Sequence, residues 1–251
     1  MNLRQQRILR IAGICGILSP IILFLSIALS IHSSSWFSWT GNWLSELGGS
    51  FGESPIWAAR GITSVFFNCG LVIAGVGGVL FSLAIRKSRL CSTRIGNLGT
   101  WLLSGNMVAL FGIGLFPVTL GKLHVWSSIS FFCSIPMVLF LLSFEMRRIF
   151  GKKWWWIINI LCVFSLLSVC AFLFMPHFYG YSKAIAEMVM LCSVFFFCIA
   201  FSINVLAMSR THRKEDALPV FSLSSTVKGV NDAARIQRFS TFYVRDRRQY
   251  K

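Results

Sequence analysis

The chain alternates long apolar runs with short polar clusters, and the runs are too long and too continuous for the two-residue alternation of a half-buried strand. Six runs stand out, at about residues 11–31, 60–85, 96–117, 124–144, 154–174 and 184–208. A helix rising ~1.5 Å per residue needs roughly 20 residues to cross ~30 Å of hydrocarbon, which is about the length of each run. Backbone groups find no water in lipid, so segments of this kind are predicted as helices. The expected fold is all-α, a polytopic membrane bundle of about six transmembrane helices.

The first run has a competing reading as a cleaved signal peptide. Arg4 to Arg10 resembles a basic n-region, and Ala28-Leu29-Ser30 resembles a small-residue cleavage site. Its apolar stretch exceeds the ~7–15 residues of a signal-peptide core, which favours a retained helix.

Charge orients the six helices. Arg4, Arg7 and Arg10 precede the first; Arg86, Lys87, Arg89 and Arg94 lie between the second and third; Arg147, Arg148, Lys152 and Lys153 lie between the fourth and fifth. Arg210, Arg213 and Lys214 follow the sixth, whereas the alternate loops hold only Arg60, Lys122 and Lys183. By the positive-inside rule both termini are expected in the cytoplasm, with the loops containing Trp43, Lys122 and His177 facing outward from an inner (plasma) membrane. Trp154, Trp155 and Trp156, directly after two lysines, read as an interfacial anchor.

Composition agrees with this picture. Of 251 residues, 55% are hydrophobic and 13% charged, and the mean hydropathy is +0.70; soluble domains are ~25% charged. The formal charge of +16 raises the question of nucleic acid. Ten of the 24 bases and four of the eight acids lie after residue 208, and the other bases cluster at the ends of apolar runs. That placement serves orientation and anionic headgroups, so no nucleic-acid partner is expected and membrane lipids are. The domain organisation read from this contrast is a transmembrane domain over residues 1–208 and a basic, disordered cytoplasmic tail over 209–251. Seven of the eight cysteines fall inside apolar runs and Cys91 in a basic loop, so free thiols are expected, not a disulfide framework. Small residues recur as Gly70, Gly75, Gly77 and Gly78 in the second run and as Gly96, Thr100, Ser104 and Gly112 in the third, the pattern of closely packed membrane helices.

The candidate chemistry gathers on one side. The first outer loop, residues 36–49, carries Trp36, Phe37, Trp39 and Trp43 with Ser45, Glu46 and two glycines, and is expected to lie on or dip into the interface. Arg60, Ser64 and Asn68 share one face of the second helix at four-residue spacing. An amide ~12 Å deeper than Arg60 is expected to face protein or a wet cavity. His124 opens the fourth helix, His177 precedes the sixth, and Lys183 and Glu187 begin it. An ionisable residue one turn inside a membrane helix is a functional candidate, with Arg60, Lys183 or His124 as partners for Glu187; the plainer alternative is a Lys183–Glu187 ion pair on one helix. The ligand types for zinc are present, but no pair has the spacing of a metal motif, so no metal is assigned, and no cofactor motif is found. The chain has no G-x-S-x-G elbow and no aspartate before the tail, which disfavours a serine hydrolase.

Trp43-Leu44-Ser45-Glu46-Leu47-Gly48, Phe67-Asn68 with Gly70, Gly114 to Pro117, His124, and Ala184-Ile185-Ala186-Glu187 occur in an order that resembles a family of small six-helix prokaryotic membrane proteins, domain of unknown function family 998. The similarity spans about residues 10–208. The family's pattern is similar to one with Asp where this chain has Glu46. The resemblance implies six helices and no activity.

Three roles follow, in descending order. The first is a noncatalytic membrane protein that binds a lipid-like or hydrophobic ligand or a partner through its outer polar cluster. The second is a membrane enzyme on a lipid or isoprenoid substrate, with His124 and Glu187 as acid–base groups and Arg60 and Asn68 holding the headgroup. The third is a small transporter lined by Asn68 and Glu187, disfavoured because the two halves show no repeat. The binding candidates across these roles are Glu46, Arg60, Asn68, His177 and Lys183; no residue-level signal specifies an oligomeric state.

Overall fold

The computed structural model describes residues 3–51, 53, 58–174 and 183–217, with side chains to 209. These residues form six helices and no strand: α1 (Leu3–His32), α2 (Ile62–Lys87), α3 (Arg94–Leu115), α4 (Lys122–Phe150), α5 (Lys152–Phe174) and α6 (Lys183–Ala217), with short 3₁₀ turns at Leu44–Gly48 and Val118–Leu120. Six helices are long and apolar enough to cross a membrane, which marks a multi-pass membrane protein. The chain divides into two units, Met1–His212 and Arg213–Lys251. The bundle belongs to the first; beyond Ala217 the basic tail falls outside the described residues.

The helices begin and end where local chemistry dictates. Apolar periodicity places the start of α2 at residue 60, but Gly61 adopts φ 60°, and the helix begins only at Ile62. Arg60 therefore precedes the helix, and its backbone N–H is taken by the Ser64 hydroxyl at 2.9 Å. Thr93 caps α3 by accepting from the Gly96 N–H, so α3 starts two residues before the apolar run. A single residue, Gly151 at φ 96°, separates α4 from α5.

The small-residue stripes let backbones touch. A methyl group added to Gly75 of α2 would lie 2.6 Å from the Phe111 amide nitrogen of α3, and one on Gly114 would lie 2.7 Å from the Asn68 carbonyl oxygen. Such contacts leave no room for any larger residue. The interior is filled by Phe81 and Phe131 with Phe195, Phe197 and Phe201 of α6, all fully buried. α5 lies at the other extreme: only Ile158, Ser165 and Val169 are buried, while Ile160, Val163, Phe164, Leu166 and Leu167 are exposed. An all-apolar outer face of this extent suits hydrocarbon, not water. All eight cysteines are free, as expected.

At the basic end, where α1 starts and α2 and α4 finish, a buried knot ties the helices together. Glu145, with 2% of its side chain exposed, is paired with Arg148 at 2.5 Å. It also accepts from the Thr93 hydroxyl, and Arg148 reaches on to the Leu90 carbonyl at 2.6 Å. Cys91 is enclosed here, its thiol pushed up to about 12, first by burial and then by the Glu145 charge, with Arg148 opposing.

Candidate functional site

The opposite end is built on the Leu44–Gly48 turn. Leu44 and Leu47 bury their side chains completely or nearly so, which draws the α1–α2 loop into the bundle mouth. Glu46 reaches back to the Trp43 N–H at 3.3 Å and accepts from the Asn42 amide at 2.7 Å, closing the turn on itself. Leu44 and Ser45 begin the turn, where backbone N–H groups have no partner within it. Their amides face the Glu187 carboxylate, with Leu44 N–H to Oε2 at 2.6 Å. Glu187 thus crosses from α6 to cap a turn far away in sequence.

Two further side chains serve the backbone. The His124 ring, 5% exposed, donates from Nδ1 to the Phe116 carbonyl at 2.9 Å and so caps the last turn of α3. The Asn68 amide donates to the Gly48 carbonyl at 3.2 Å, holding the far end of the Leu44–Gly48 turn. Its Oδ1 is buried and has no hydrogen-bond partner among the described residues.

Between these groups lies a cavity of about 380 Å³, within the range of small-ligand sites. Its polar wall includes Ser45, Glu46, His124, Ser128 and Glu187. Its apolar wall includes Val125 and Ile129 of α4 with Phe172 and Leu173 of α5. Val125 and Leu173 on this wall are 40% and 43% exposed, and Phe51 of the first loop, which also lines the cavity, is 66% exposed, so the cavity lies at the bundle surface. Trp43 forms part of the lining, edge-to-face with Phe172 at 5.2 Å.

Of the residues singled out from sequence, Glu46, His124 and Glu187 come together in this cavity. Arg60 and Asn68 do not line it. Arg60 leaves the expected shared face because Gly61 turns the chain: its guanidinium stacks on Trp36 at 3.9 Å, pairs with Glu53 at 3.4 Å and donates to the Ser50 hydroxyl. Lys183 lies over the Trp43 ring at 5.0 Å. Among the described residues the ion pairs are Arg60–Glu53 and Arg148–Glu145, so the expected Lys183–Glu187 pair is not formed and neither Arg60 nor His124 pairs with Glu187. His177 lies outside the described residues. No group of three metal-binding side chains occurs among the described residues.

Two polar residues escaped the sequence reading. Asn106, mid-α3, donates to the Phe131 carbonyl at 2.7 Å and the Ser134 hydroxyl at 2.8 Å, pinning α3 to α4. Glu145 is the second; its i, i+3 spacing to Arg148 and the Thr93 cap were the available signals.

A family model described as "Protein of unknown function (DUF998)" matches residues 17–204. No curated protein and no solved structure matches the chain.

Proposed function

Since the chain belongs to the DUF998 family of proteins of unknown function, a membership that brings no activity with it, we propose from the site alone that it is a noncatalytic plasma-membrane protein that holds a lipid-like amphiphile. Both termini are cytoplasmic in this reading, because the basic clusters lie at the end away from the cavity. One observation carries it: a single cavity sets Ser45, Glu46, His124, Ser128 and Glu187 against the apolar Val125, Ile129, Phe172 and Leu173 of α4 and α5, two helices long and apolar enough to cross a membrane. A molecule entering there from the bilayer would leave its chain against Val125, Ile129 and Leu173 and bring its headgroup to Glu46, His124 and Glu187. The polar groups are already committed to the backbone, Glu187 to Leu44 and His124 to Phe116, which supports a binding role over an acid–base one.

The test is lipid analysis of the purified protein and of an Ile129→Trp variant whose larger ring fills the apolar side of the cavity. A lipid species enriched with the wild type and depleted in the variant is expected. Identical bound lipid in both would remove the reading. An enzyme remains the second reading because His124, Ser128 and Glu187 share one cavity; a cellular lipidome altered by Glu187→Gln at normal protein abundance would favour it over simple binding.

A further inference from the structure

We infer, resting on the reading that the cavity holds an amphiphile, that its occupant carries a cationic headgroup, an amine or quaternary ammonium, seated between Glu46 and Glu187. The first 208 residues contain four acids: Glu46, Glu53, Glu145 and Glu187. Two of them have a guanidinium partner, Glu53 with Arg60 and Glu145 with Arg148, and neither of those lines the cavity. The other two, Glu46 and Glu187, have no ion pair among the described residues, and both line it. The protein's own pattern is thus to match a carboxylate with a cation, except at one place, where space is left beside both.

The carboxylates there are held by uncharged donors. Asn42 and Trp43 serve Glu46, and Leu44 serves Glu187. Such bonds fix the oxygens in position but bring no opposite charge, and a buried carboxyl so placed either keeps a proton or meets a cation from outside. No Lys or Arg is among the described residues lining the cavity. Lys183 is engaged with the Trp43 ring, and His124 donates to Phe116. A cationic headgroup supplies an opposite charge, and the rings of Phe51 and Phe172 in the lining are compatible with an ammonium. A metal ion fits less well, since no third ligand-type side chain groups with the carboxylates among the described residues. An anionic headgroup would meet like charge.

The experiment is native mass spectrometry of the intact full-length protein released from maltoside micelles, after incubation with three amphiphiles sharing one dodecyl chain: dodecyltrimethylammonium, laurate and dodecyl glucoside. Retention of one equivalent of the ammonium compound, about tenfold preferred over the other two, is expected, with the preference lost in Glu187→Gln. Equal retention of all three, each displacing the others, overturns the headgroup assignment and leaves the amphiphile reading standing. Retention of none overturns both. The wild-type series decides among these outcomes even if the variant does not fold.

Discussion

Glu145 and Glu187 are both buried acids that fasten a loop to the bundle, one at each end, and they differ in what meets their charge. Glu145 takes a hydroxyl from Thr93 and a guanidinium from Arg148. Glu187 takes backbone amides and faces a cavity of about 380 Å³. Burial alone therefore does not separate a structural carboxylate from a ligand-facing one. The partner does, because a buried carboxyl without a counter-charge either keeps a proton or takes a cation from outside.

The contrast is broken most directly by removing the cation at the basic end. Arg148→Ala leaves Glu145 buried with only a hydroxyl, and breaking a fully buried pair costs ~3–5 kcal/mol. Arg148 is 46% exposed, so the expected loss is smaller, about 2–3 kcal/mol. It is read as a lowered thermal unfolding midpoint in micelles. An unchanged midpoint would mean that the Glu145 knot does not hold the basic end.

Two glycines sharpen the comparison at lower cost. A methyl group on Gly96 would meet Glu145 at 2.5–2.6 Å, in a carboxylate already fixed by Arg148 and Thr93. A methyl group on Gly48 would meet Asn68 Oδ1 at 2.6 Å, in an amide held by one neutral bond to the Gly48 carbonyl. Gly96→Ala is expected to cost about 1–3 kcal/mol, as overpacking does, and Gly48→Ala less. The reverse order would show that the site end is the more rigid of the two.

Much of the scaffold was legible from sequence because hydrocarbon imposes a length on every crossing segment, and the six apolar runs overlap all six helices. Helix ends were less legible. Gly61 and Thr93 shift the starts of α2 and α3 by local backbone chemistry that hydropathy does not register. The site was legible only in part. Glu46, His124 and Glu187 were visible as polar residues at one depth, but the Leu44–Gly48 turn that joins Glu46 to Glu187 depends on bonds such as Leu44 to Glu187, which span most of the chain and leave no periodic trace. Arg60 was placed on the α2 face because the four-residue spacing was extended back through Gly61, which precedes the first residue of the helix. Glu145 was hidden among the bases that follow it, where Arg147, Arg148, Lys152 and Lys153 read only as an orientation signal.

Amide isosteres refine the comparison further. Glu145→Gln weakens charge-assisted bonds to Arg148 and Thr93 and is expected to cost about 1–2 kcal/mol. Glu187→Gln keeps an oxygen for the Leu44 N–H and is expected to cost under ~1 kcal/mol, while amphiphile retention falls. Equal destabilisation by the two changes, with retention intact, would make Glu187 a second structural knot.

The smallest effect expected is no reaction at all, and it tests whether the two ends differ in openness. Cys91 lies behind Glu145 and Arg148, 3% exposed, with its thiol pushed up to about 12 by burial and the Glu145 charge. Burial thus disfavours the thiolate, which is the species that attacks a maleimide. With the other native cysteines replaced, Cys91 should stay unlabelled in the folded protein. A cysteine at the other end, Ser128→Cys, lines the cavity from a residue that is 8% exposed. It should react with a small maleimide and be protected by dodecyltrimethylammonium. Labelling of Cys91 at a comparable rate would show the knot opening as readily as the cavity, and charge pairing would then no longer distinguish the two ends.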